Sequence, residues 1–196
     1  GLAGSAGYGN ATSGTRDCGS LTAGQLLTVC VGRYSATNSA FVVGDIAQTA
    51  GTATLGPFAI TANDNGVYAH CAVFHAIVTG SGTCTVTLSN NPSGSYFDIG
   101  SEAFNGSWDA DRVEDTSANT GSASTAVSTL DGTSAGAALF VGVFCDTTGA
   151  ASYTTDAAFT DIYQDLGTPN NSAAARRIVS SGTTDAAEWT ANTGIA

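Results

Sequence analysis

The chain makes itself soluble with Thr, Ser, Asn and Gly rather than with charge, and this choice leaves little room for anything but β-structure. Only 11% of its 196 residues are charged, and Lys is absent altogether. Helical proteins wet their outer faces with Glu, Lys, Arg and Gln, the same residues that favour helix. Thr is stiff at χ1 and sits well on a pleated surface, so it favours strands instead. The 25 Gly supply turns. An all-β fold follows from this balance.

Apolar runs and turn signals place the strands. Residues 26–34 (LLTVCVGRY) form the first clear strand, and 41–46 read as a short one broken at Gly44. Residues 55–61 follow, with Pro57 marking an edge or a strand start. The long strand 67–79, the tight turn Gly80-Ser81-Gly82 and the alternating stretch 83–89 predict a β-hairpin. Residues 96–104 and 125–130 continue the series. Residues 137–145 are apolar on both faces, as in a central strand covered on both sides. Between 156 and 167 a helix competes, because Phe159, Ile162, Tyr163 and Leu166 fall at helical spacing, with Asp156 as cap and Gly167 as stop. Strands at 173–179 and 187–190 close the chain. Residues 1–24 read as an extended arm or loosely held strand, and 25–196 as a single antiparallel sandwich.

Charge narrows the partners. The net charge of −11 repels a phosphate backbone, so nucleic-acid binding is not expected. No apolar run reaches the ~18 residues of a membrane-spanning helix, and no charged-then-apolar leader pattern is visible. The five cysteines, Cys18, Cys30, Cys71, Cys84 and Cys145, include no C-x-x-C pair and no zinc spacing. Buried thiols and one or two disulfides both remain open, with at least one thiol left over within the chain.

Candidate chemistry is sparse. Gly132-Thr133-Ser134-Ala135-Gly136 matches the nucleophile-elbow pattern, but that motif needs a strand before the Ser and a helix after it, and a strand follows here. His70 and His75, the only histidines, are five apart on one strand and so point to opposite faces. They do not share a metal within that strand. Asp109, Asp111, Glu114 and Asp115 follow Trp108 and are the candidate calcium ligands, although the spacing lacks the Gly and closing Glu of an EF-hand loop. No catalytic residue and no other cofactor is expected. Glycosylation sequons occur at Asn10, Asn105 and Asn170.

From Tyr68 onward an ordered series of short motifs stands out. It runs Ala103-Phe104-Asn105-Gly106, Thr120-Gly121-Ser122-Ala123-Ser124 and Ala138-Leu139-Phe140-Val141-Gly142. It continues with Phe159-Thr160-Asp161, Ala175-Arg176-Arg177-Ile178-Val179, Ser181-Gly182-Thr183 and Glu188-Trp189-Thr190. In this order the pieces resemble a β-sandwich domain of phage virion structural proteins and of bacterial surface or secreted proteins. The resemblance implies a jelly-roll-like sandwich, favours strand over helix at 159–166, and implies one more apolar strand after Trp189.

The expected function is therefore non-enzymatic: a virion structural protein, a capsid decoration or fibre or spike subunit, acting outside the cell through self-assembly and contact with other virion proteins. The rival is a secreted bacterial carbohydrate-binding or adhesion module, with Tyr96, Phe97 and Trp108 as the aromatics that would meet a surface glycan. A hydrolase would need a Ser or Asp–His pair within hydrogen-bond reach.

Overall fold

The structure is a computed structural model that describes residues 5–65, 68–108, 125–130, 138–146, 153–167, 170–179 and 185–191. Its strands, in chain order, are β1 (Ser5–Tyr8), β2 (Gly14–Leu21), β3 (Leu26–Tyr34), β4 (Ile46–Ala50), β5 (Thr54–Leu55), β6 (Ala59–Asn65), β7 (Ala69–Gly80) and β8 (Gly82–Leu88). They continue as β9 (Tyr96–Phe104), β10 (Thr125–Leu130), β11 (Ala138–Asp146), β12 (Tyr153–Thr155), β13 (Thr160–Gly167), β14 (Asn170–Val179) and β15 (Asp185–Ala191). The only helical element among the described residues is a 3-10 turn at Val43–Asp45. The all-β, antiparallel, sandwich-like fold predicted from composition is what forms, with its sheets curled as a half-barrel.

A central sheet runs in the order β1-β9-β3-β7, with both β5 and β6 pairing to β7. The sheet β2-β8-β4 covers one face and the sheet β11-β14-β13 covers the other, while β10-β15-β12 forms a further sheet whose β15 lies against β11. Side-chain alternation explains the layering. Leu27, Val29 and Val31 of β3, Phe74 and Val78 of β7 and Ile99 of β9 face Cys18, Ile46, Cys84, Val86 and Leu88 of the first covering sheet. On the opposite face Cys30 and Val73 meet Ile162, Tyr163 and Ala174, with Val141 and Val143 packed beside them. Each fully buried aliphatic side chain contributes about 1.5–3 kcal/mol, so two such interfaces account for the burial of β3 from Leu26 to Arg33.

Several expectations change on this frame. The segment read as an extended arm or loosely held strand contains two paired strands, and Cys18 and Leu21 of β2 are core residues. The hairpin expected at Gly80-Ser81-Gly82 is a corner instead. β7 pairs with β3, β5 and β6, whereas β8 pairs with β2 and β4. A corner and a hairpin give the same alternation, since both turn every second residue toward one core. Residues 41–46 are not a broken strand: the 3-10 turn precedes β4. β11 buries Phe140 and Phe144 on one face and half-buries Val141 and Val143 on the other, yet it ends its sheet rather than centring it.

The helix competitor is resolved as a turn and a strand. Asp156 accepts the Phe159 amide, and β13 begins at Thr160. A bulge between Asp161 and Tyr163 brings the consecutive Ile162 and Tyr163 both to buried positions. That bulge is what imitates helical spacing in the sequence.

Candidate functional site

Three groupings of polar and aromatic side chains are candidates: one in each interface of the central sheet, and one at its exposed end. The first depends on glycine. A side chain at Gly100 would meet the Tyr163 ring, and one at Gly32 would meet Ser172. Their absence lets β13 and β14 settle close enough for polar contact across the layers. Ser172 Oγ donates to Asp98 Oδ2 at 2.7 Å and lies 3.1 Å from the Tyr163 hydroxyl. Burial holds the Tyr163 hydroxyl well above its ordinary pKa, with the nearby Cys30 acting in the same direction, so it stays protonated. Asp98 and Asp165 also converge over Gly7, 2.9 and 3.0 Å from where its side chain would begin.

A serine hydrogen-bonded to a carboxylate suggests nucleophilic catalysis, which requires a base to take the serine proton and access for a substrate. Ser172 is fully buried. His70 shares the opposite face of the sheet with Ala72 and Phe74, so it does not complete a triad with Asp98 and Ser172. Ser172, Asp98 and Tyr163 thus pin the upper covering sheet to the central one.

The second grouping lies in the other interface. Arg33 is 1% exposed and sits with its guanidinium carbon 4.0 Å over the Phe41 ring. Nη1 donates to Asn91 Oδ1 at 3.2 Å and Nη2 donates to the Ser39 carbonyl. Burial lowers the Arg33 pKa from its ordinary value, and the nearby Asp45 carboxylate works in the other direction. Asp45 in turn accepts the Val42 amide at 2.9 Å and the Asn90 side chain at 3.1 Å. His70, opposite Arg33 in the strand register, is driven below its ordinary pKa by burial and then by the Arg33 charge. These groups tie the loops at one end of the sandwich to its core.

The third grouping is on the surface. Tyr34, Tyr68 and Tyr96 come from the ends of adjacent chain segments in the central sheet, where Tyr34 lies opposite Tyr96 in register. The Tyr34 and Tyr68 rings are stacked at 6.2 Å and 24°, and Tyr34 and Tyr96 are tilted at 6.3 Å and 53°. Tyr68 is 51% exposed. Of the aromatics expected to meet a glycan, only Tyr96 belongs to this strip. Phe97 is fully buried and stacked on Tyr8, and Trp108 folds back with its Nε1 donating to the Phe104 carbonyl. Tyr34 and Tyr68 were missed because one closes an apolar run and the other opens one, and only strand register shows that they meet.

The remaining expectations divide cleanly. His70 and His75 do point to opposite faces, His75 toward the upper layer with Thr61 bonded to its Nδ1. Asp109, Asp111, Glu114 and Asp115 lie outside the described residues, as does Gly132-Thr133-Ser134-Ala135-Gly136. No cluster of three metal-ligating side chains occurs among the described residues, and no helix there is long and apolar enough to cross a membrane. Comparison with protein-family models, curated proteins and solved structures returns no significant match.

Proposed function

We propose that this chain is a non-catalytic structural subunit of an extracellular assembly, as a virion decoration or fibre protein would be, and that it associates through sheet edges. The observation that carries this is β4. It ends its sheet, pairing only with β8 among the described residues, and its sequence IAQTA carries no charge. Val42 and Val43, 57% and 45% exposed, lead into it through the 3-10 turn. Proteins that remain single chains blunt such edges with Lys, Pro or inward charges. β4 carries a bulge between Gln48 and Ala50, a further blunting device, but no charge and no Pro, and its uncharged edge beside an apolar step suits strand addition from a second copy. The buried polar groups support the same reading, since Arg33, Asp98, Ser172 and Tyr163 all serve packing.

Mass measurement by light scattering tests it. The intact chain is expected as a trimer or larger, and Val42→Lys with Val43→Lys is expected to return it to single chains with its melting temperature little changed. A monomeric parent chain would defeat the proposal. The tyrosine strip favours a second reading, a carbohydrate-binding or adhesion module, because partly exposed rings offer sugars an apolar face. On a glycan array, that reading expects a signal that Tyr68→Ala abolishes.

A further inference from the structure

β2 carries a bulge whose construction points at one residue. Asp17 pairs with Thr85 and Gly19 pairs with Cys84, so Cys18 is the extra residue and stands with Gly19 against Cys84. Two features hold this arrangement. Gly19 adopts φ +71, in the left-handed region open to glycine, and its amide donates to Asp17 Oδ1 at 2.8 Å. The outcome is that Asp17 and Ser20 face solvent while Cys18 turns inward. Cys18 and Cys84 are each 1% exposed and belong to the same core cluster. Opposed residues of an antiparallel pair have Cα atoms about 4.5–5.5 Å apart. Disulfides accept about 4.4–6.8 Å.

We propose that Cys18 and Cys84, free thiols in this structure, are a built dithiol pair that a small-molecule disulfide oxidises to a cross-link between β2 and β8. The two thiols are unequal in a way that suits the exchange. A hydrogen bond from Cys84 draws the Cys18 thiol down to about 7 against the cost of burial, helped by the Ser101 hydroxyl and the Arg16 charge. Cys84 is pushed up by that same contact and by burial. Cys18 is therefore the attacking thiolate.

Its sulfur attacks one sulfur of the small disulfide, forming a mixed disulfide and releasing one small thiolate. Cys84 then gives up its proton, attacks Cys18 Sγ and releases the second small thiolate. Two protein thiols lose two electrons, the small disulfide gains them, and the two thiol protons pass to the released thiolates. Access comes from the position of β2 at the end of its sheet, where opening of one edge strand bares both sulfurs. The cross-link then fastens that edge.

The experiment compares the full chain equilibrated in reduced and in oxidised glutathione, in urea just below the unfolding midpoint and after urea removal. The oxidised protein is expected to lose two of its five reactive thiols. Peptide mass mapping should join Cys18 to Cys84, and the melting temperature should rise by roughly 10 °C. Cys71→Ser and Cys145→Ser should leave the cross-link intact. Cys84→Ala should abolish it and leave Cys18 carrying glutathione. Five reactive thiols after oxidation, a bond mapped to another pair, or a lowered melting temperature would each overturn the proposal.

Discussion

Arg33 shows how much a single side chain is asked to do in a protein with five cations. Buried from bulk water and with no bonded carboxylate among the described residues, it relies on Asn91, the Ser39 carbonyl and the Phe41 face. Arg33→Leu removes the charge but strands both acceptors, and should cost about 2–4 kcal/mol in urea unfolding. His70 gives a pH signature. Its folded pKa lies below its unfolded value near 6.5, so the unfolded chain binds its proton first as pH falls. Stability from this group is complete above about pH 6.5 and declines as the pH drops from there toward the folded pKa. Unfolding midpoints at pH 7.5 and 5 should therefore differ more in the parent chain than in His70→Asn. The sequence revealed that His70 and His75 part company, because alternation requires it. It did not reveal the Arg33–His70 juxtaposition, which depends on register between strands far apart in the chain.

The strands were readable wherever alternation or an apolar run was strong, as in β3, β8, β9 and β11. What the pattern hid were the irregularities that decide packing. The β13 bulge imitates a helix, and the β7–β8 corner imitates a hairpin, because inward and outward positions are unchanged in both. Close approach between layers was equally hidden, since a glycine in a strand has several meanings until its neighbour is known. Gly100 is the sharpest case: Gly100→Ala drives a methyl into the Tyr163 ring and should destabilise by about 2–3 kcal/mol. Gly44→Ala, with nothing near its added methyl, should change little. Parallel thermal melts of the two variants would separate space-filling from backbone effects.

The net charge of −11 bears on the proposed assembly. Copies that meet through an uncharged edge still repel one another at distance, and salt screens that repulsion. Association should strengthen between 20 mM and 500 mM NaCl, by sedimentation at fixed protein concentration, whereas an interface built on ion pairs would weaken. The fold class was legible from composition because Thr, Ser and Gly serve strands and turns whatever the order. The candidate surfaces were not, because Tyr34, Tyr68 and Tyr96, like Val42 and the edge of β4, acquire meaning only in three dimensions.

The central sheet also sets a timetable. Within that sheet β1 pairs with β9, and β3 lies between β7 and β9, so both wait for residues 96–104 before their pairing is complete. Ser172, which secures the upper layer, arrives later still. Pairings of such long sequence separation close slowly. Once residues 96–104 are made, β3 has β7, β9 and the β2-β8-β4 cover, but its other face waits for β13 and β14. Whatever cell makes this protein must shelter that intermediate, and truncation before Phe104 should yield aggregate rather than a smaller folded unit.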